Sequence, residues 1–286
     1  MQVYFPNFNT KQGAIGIFDY LAASKDSTES NVIFNSDLNL EELTHLPGGT
    51  GPIDNYDNVN DSNTRSFIGY VIENLSNKNA QLFQDLYVLW KLKNKNKGVF
   101  VEVGTAFPTG NNNTWTLESE AQWQGVLIEP NPVFHKSILA ARSMPLETRA
   151  IHYQSDSSLV LEIVNDFHAG GGLKENYEIK VGQVIENSQE VVVDTISLTQ
   201  CLEKYSIPKD FDYLSYDTTG NQADVQNIRD IFAHNYFPKI ITIGHNYKSH
   251  RPALHNMLQS HGYTREFDYL SKWDDWYYHN TLKDNT

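Results

Sequence analysis

Cysteine is nearly absent from this chain of 286 residues: Cys201 stands alone, so neither a disulfide framework nor a cysteine-built metal site is available. Positive charge is scarce as well. Twenty-two Lys and Arg face 35 Asp and Glu, a net charge of −13, which removes the simple electrostatic case for binding nucleic acid. Long apolar runs are missing, so no segment is expected to cross a bilayer. The opening MQVYFPNFNTKQG has no cationic stretch followed by an apolar one. There is no internal repeat, and asparagine, though common, is spread without tracts. The expectation is a soluble protein of a reducing, cytoplasmic compartment. The length allows one large domain or two small ones, and either can bury a substantial core. Nothing in the sequence speaks to oligomeric state.

What is present divides near residue 80. Residues 1–79 carry short apolar islands, Ala14–Leu21 and Phe67–Ile72, separated by polar stretches. The stretch PGGTGPIDNYDNVNDSNT reads as a long loop punctuated by its PGG and GP turns. This part is expected to be an extension or cap. From residue 80 to 286, short β-rich runs alternate with helical ones. Helices are expected at Ala80–Leu92, Pro132–Arg142, Ser197–Tyr205, Gln222–Phe232 and Pro252–Ser260. Strands are expected at Gly98–Val103, Gly125–Glu129, Leu146–His152, Asp212–Tyr216 and Lys239–Ile243. An insertion over 153–194 holds β-branched runs at Leu159–Val164 and Val191–Val193. Tyr263–Phe267 and Trp276–His279 suggest a closing antiparallel hairpin. The pattern predicts an α/β fold with a doubly wound, mostly parallel, Rossmann-like sheet.

In such sheets ligands bind beyond the carboxyl ends of the strands, where strand order reverses. The first strand ends in Glu102 and Gly104, and the second in Glu129-Pro130-Asn131. The fourth ends in Asp217-Thr218-Thr219-Gly220, and the fifth in Gly244-His245-Asn246. Gly104 suits a turn where backbone approaches a ligand. Glu129 lies about 25 residues on, near the spacing of a carboxylate that grips both ribose hydroxyls. Read alone, these residues fit equally well two strands finishing in solvent and an ordinary turn. The loop Gly104–Gly110 lacks G-x-G-x-x-G, and Pro108 removes an N–H that a pyrophosphate would use. A ribose-bearing ligand without pyrophosphate, of which S-adenosylmethionine is the commonest, fits better than a dinucleotide or a nucleotide sugar.

The motifs QDLYVLWKL (84–92), GVFVEVG (98–104), GVLIEPNP (125–132), TISLTQCLEKYSIP (195–208), FDYLSYDTTG (211–220), ITIGHNY (241–247), HGY (261–263) and WDDWYY (273–278), in this order, resemble the FkbM family of methyltransferases. The likeness covers residues 80–280 and leaves 1–79 outside. It implies a class I methyltransferase fold that binds S-adenosyl-L-methionine and methylates a hydroxyl of a sugar, glycan or small metabolite. It places Glu102, Gly104 and Ala106 at the cofactor's methionine end, Glu129 at the ribose, and Pro130 and Asn131 beside the adenine. Gln84 and Asp85 match a Gln-Asp pair ahead of the first strand, with Gln84 counted among the cofactor contacts. Asp217 matches the aspartate after the fourth strand, and His245-Asn246 the His-Asn after the fifth. The chain departs from the family's Gly-Ala-Asn-Asp-Gly at 104–110. Thr219 and Gly244 stand where the family carries glutamates.

Those two replacements weaken the case for a divalent cation, since Asp217, His245 and Asn246 make a poor Mg²⁺ site. They also motivate a second hypothesis, a degenerate methyltransferase fold kept as a binding or scaffold module. On the enzyme reading, His245 is the expected base, with Asp217 orienting it or contacting substrate and cofactor. His245 fits a second description, a strand-end histidine hydrogen-bonded for structure. His152 and His168 are isolated, and His168–Gly172 reads as a lid or, more simply, a solvent loop. Tyr269, Trp273, Trp276, Tyr277 and Tyr278 suit either a sugar platform or the underside of the hairpin.

Overall fold

A computed structural model of the chain describes residues 3–5, 15, 18–19, 32–34, 62–77, 79–164, 172–173, 188–218 and 222–285. The loop at 47–61, most of Ala14–Leu21, the run 168–171, and Thr219 and Gly220 lie outside the described residues. The chain forms two compact units, Met1–Lys78 and Asn79–Thr286. In the first, β1 (Val3–Phe5) pairs in parallel with β2 (Val32–Phe34), and α1 (Ser62–Glu73) buries Phe67, Ile68 and Val71. Phe18 lies against Phe67, with ring centroids 6.3 Å apart. Among the described residues no helix is long and apolar enough to cross a membrane.

The second unit begins with α2 (Gln84–Lys91), which starts four residues later than the apolar spacing predicts. Phe83 is left-handed at φ 65°, and the Asp85 carboxylate takes the N–H groups of Asn79 and Ala80. That turn uses the residues that would have formed the first helical turn. There follow β3 (Val99–Val103), α3 (Trp115–Ser119), β4 (Gln124–Ile128), α4 (Pro132–Ala141) and β5 (Leu146–Glu147). Asn131 caps α4 by accepting from the Val133 N–H, and Pro132 sits in the first helical turn, where its missing N–H costs nothing.

The single strand expected over 146–152 is two. β5 pairs with β4, whereas β6 (Ala150–Ile151) pairs with β9 (Ser188–Ile196) in a separate four-stranded sheet. Between them Glu147 collects Arg149 and Lys204, and the chain changes sheets at that polar step. The insertion supplies β7 (Ser158–Val164), β8 (Gly172–Leu173) and the long antiparallel β7–β9 ladder. The main sheet continues through α5 (Leu198–Lys204), β10 (Tyr213–Tyr216), α6 (Gln222–Ala233), β11 (Ile240–Gly244), α7 (Arg251–Ser260), β12 (Tyr263–Glu266) and β13 (Asp274–His279).

Its seven strands run in the order β5-β4-β3-β10-β11-β13-β12. The first five are parallel, and β13 is antiparallel to both neighbours. This is the doubly wound, mostly parallel, Rossmann-like sheet with its closing antiparallel hairpin. Strand order reverses between β3 and β10, so the crevice for a ligand opens there. Because side chains alternate, one face of the sheet carries Val101, Val126, Leu214 and Ile241 against Leu202, Ile228 and Leu258 of α5, α6 and α7. On the other face Glu102, Ser215, Thr242 and Trp276 stand in register across four strands. Tyr87 of α2 stacks on Trp276 at 4.9 Å. Trp276 and Tyr277 are fully buried on opposite faces of β13, Trp276 against Tyr87 and Tyr277 in the core under α5–α7. Cys201 is buried, and burial pushes its thiol up to about 12.

Candidate functional site

Glu129 leaves the tip of β4 and turns back over the loop that follows β3. One carboxylate oxygen accepts the Ala106 N–H at 2.7 Å and the other the Asn131 N–H at 2.8 Å. The side chain is buried rather than finishing in solvent, and burial raises its carboxyl from 4.5 to about 7. A carboxylate offers about four acceptor sites, so this arrangement leaves two for ligand hydroxyls. Glu129, Ala106 and Asn131 are thus brought together by direct hydrogen bonds. Pro130 sits between them, half-buried, and His135 reaches back to the Glu129 carbonyl at 2.7 Å.

Gly104 is required, for a reason other than the expected approach to a ligand. Its φ is +82°, and a Cβ there would meet the Asp217 carbonyl oxygen at 1.9 Å. The glycine lets the loops after β3 and β10 touch at the switch point. Ala106, with φ 47°, is also left-handed, and the Glu129 bond to its N–H fixes that turn.

Glu102 is buried beneath this loop. Asn112 donates to it at 3.1 Å, and Arg142 lies 3.7 Å away while pairing with Glu118 at 2.6 Å. Burial still raises the Glu102 carboxyl, against the pull of Arg142 and Asn112. The Asn112 amide also spans the carbonyls of Thr105 and Phe107, so the loop and the buried acid are built as one unit. The sequence reading missed Asn112 and Arg142. A buried acid in a strand needs such partners, but the sequence does not say where they lie.

The strand-end residues of β10 and β11 fall differently from expectation. β10 and β11 are neighbours, with Tyr216 opposite Ile243. Alternation then places Asp217 with Gly244 on one face of the sheet and His245 on the other. Asp217 faces Asp274, from the start of β13, whereas His245 faces Asp275 at 3.9 Å. His245 is fully buried, and its Nδ1 accepts the Tyr247 N–H at 2.9 Å, which puts the proton on Nε2. Burial lowers it to about 4. The lone pair on Nδ1 is engaged by an amide and Asp217 lies on the other face of the sheet, so this geometry does not bring His245 and Asp217 together as a base and its orienting partner. Its neighbour Asn246, left-handed at φ 48°, donates to the Thr218 carbonyl.

Gln84 does not end in the crevice. Its oxygen accepts the Leu82 N–H at 3.0 Å and its nitrogen donates to Asp274 at 2.6 Å. It reaches the site through Asp274, which the sequence reading quoted only as part of WDDWYY. The available signal was a pair of adjacent acids inside an otherwise aromatic strand. Burial raises Asp217 to about 6, aided by Glu102; burial raises Asp274 well above the carboxylate range, aided by Asp217. Among the described residues no group of three His, Cys, Asp or Glu is arranged to hold a metal ion.

No family model matches the chain, and no curated protein matches it. Among solved structures, a precorrin-6y C5,15-methyltransferase from Geobacter metallireducens GS-15 aligns at 14% identity. The alignment covers 63% of this chain and 71% of that one with a TM-score of 0.35.

Proposed function

We propose that this chain is an S-adenosylmethionine-dependent O-methyltransferase of the FkbM type that its sequence resembles. The acceptor is a hydroxyl of a sugar, glycan or small metabolite, and the compartment is cytoplasmic. The observation that carries the reading is Glu129: a buried carboxylate at the tip of the second strand, fastened to the loop after the first, with acceptor capacity left for a ribose. The donor, when bound, supplies an electrophilic methyl on a positively charged sulfur. Everything else falls to the protein. Glu129 holds the ribose, and the Gly104–Ala106 turn that it fastens lies toward the methionine end. Asp217 and Asp274 present acceptor oxygens above Gly244, on the same side of the sheet as Glu102. Holding a hydroxyl in line behind a methyl is worth about 7–11 kcal/mol from positioning alone.

Calorimetric titration with S-adenosylmethionine tests this. Saturable binding by the wild type and its loss in Glu129→Ala, with the fold checked by melting, are expected. A wild type with no binding heat at millimolar ligand overturns the reading, as does tight binding of NAD or a UDP-sugar instead.

A further inference from the structure

We propose that Asp217 and Asp274 act together above Gly244 as a carboxyl pair holding one proton, and that this pair takes the proton of the acceptor hydroxyl. Gln84 is the positioning residue of Asp274. The proton-taking role rests on the methyl-transfer reading above; the existence of the pair does not.

The pair is a product of sheet order. Gly244 ends β11, and its register partner across the antiparallel ladder is Asp274. On its other side, β10 delivers Asp217. A Cβ on residue 244 would stand 2.8 Å from Oδ1 of Asp217 and 3.6 Å from Oδ1 of Asp274. The two oxygens therefore converge on the volume that glycine leaves open. Asp274 is 1% exposed and its two oxygens are treated differently. Oδ2 accepts from Gln84, whose amide is oriented by the Leu82 N–H, while Oδ1 is buried with no hydrogen-bond partner. A buried, unpartnered acceptor aimed at a second carboxyl wants a proton between them, or a donor from outside.

The other charged groups acting here are also acidic: Glu102 on β3 pushes on Asp217, and Asp275 on β13 pushes on Asp274. Two carboxyls that flank the same glycine in a dry site and push on one another do not both ionise readily, so one keeps its proton while the other accepts. His245, on the opposite face with its lone pair occupied, does not compete for the role. In the transfer step the acceptor's O–H bond breaks and its proton passes to the ionised carboxylate. The acceptor oxygen bonds the methyl carbon, and the electrons of the broken C–S bond remain on sulfur. The pair then returns its extra proton to water, so charge balances as sulfonium becomes thioether.

The test is carboxyl titration by NMR on protein labelled with ¹³C-aspartate, in the wild type, Asp217→Asn and Asp274→Asn. The wild type is expected to show two coupled steps, the upper one well above the ordinary carboxylate range. In either variant the surviving partner is expected to titrate as a single step, its midpoint at least one pH unit below the upper wild-type step. Two unlinked steps unchanged by the neighbour's substitution overturn the pair, and if one variant does not fold the other reports alone. For the proton-taking role, release of S-adenosylhomocysteine is followed with a desalted small-molecule extract of source cells as acceptor pool. Asp274→Asn is expected to lose about 10²-fold or more in turnover while its S-adenosylmethionine affinity stays within threefold, and Gln84→Leu to move the pH midpoint upward. Unchanged turnover and pH profile in Asp274→Asn overturn the role. A wild type that neither binds nor turns over S-adenosylmethionine sinks the methyltransferase reading and the proton-taking role, and leaves the titration to decide the pair.

Discussion

Gly104 and Asp217 meet so closely that any side chain on residue 104 would lie 1.9 Å from the Asp217 carbonyl oxygen. The contact joins the ends of the two strands between which the sheet reverses its order. The Asp217 N–H simultaneously donates to the Val103 carbonyl at 2.9 Å, so the two loops cannot slide apart independently. Gly104→Ala forces both a left-handed alanine and a backbone clash. It is expected to cost about 2–4 kcal/mol, read as a lower urea midpoint, and to abolish donor binding. A variant with wild-type stability contradicts the close approach.

Glu129 ties stability to pH. Its carboxyl sits at about 7 in the folded chain against an ordinary 4.5, raised by burial. The folded state therefore binds the extra proton, and the contribution is fully present below 4.5 and lost as pH rises through 7. Glu129→Gln is expected to flatten the decline in melting temperature between pH 5 and 8. A slope identical to wild type contradicts the burial of this acid.

His245 acts in the opposite direction. Burial holds it at about 4 against an ordinary 6.5, so the folded state resists its protonation. Its contribution is complete above 6.5 and is lost as pH falls through 4. His245→Gln is expected to lower the melting temperature at pH 7.5, yet to lose less than wild type on acidification to pH 4. Melting curves across that range decide it.

Asp85 is the organising residue of the turn before α2. Its carboxylate accepts the N–H groups of Asn79, Ala80 and Leu86 and the hydroxyl of Thr116 at 2.6 Å. Asp85→Ala strands these donors where water cannot replace the acid, at a cost of about 3 kcal/mol or more. Asp85→Asn keeps one acceptor oxygen and is expected to recover part of that loss in the same denaturation series.

Much of the fold was legible because its signals are local. Val99–Val103, Tyr213–Tyr216 and Ile240–Gly244 are short apolar runs between polar ends, and such runs become buried parallel strands wherever helices cover both faces. The division of Leu146–His152 between two sheets was not legible, since a continuous apolar run does not say which partner each half will find. In the same way Gly104 and Glu129 stood out by spacing. The carbonyl that makes Gly104 necessary belongs to a loop more than a hundred residues away.

Most of the strands, the helices behind them and the acids at the strand ends are readable from the residues alone, because periodicity and end chemistry act over a few residues. Tertiary structure alone decided which acids meet. Alternation across the β10–β11 register sent Asp217 to one face and His245 to the other, although both follow neighbouring strands. The antiparallel return of β13 then set Asp274 opposite Gly244. Side-chain direction in a strand reverses at every residue, so one step of register separates a partner from a group on the far side of the sheet. That register is fixed only when distant strands pair.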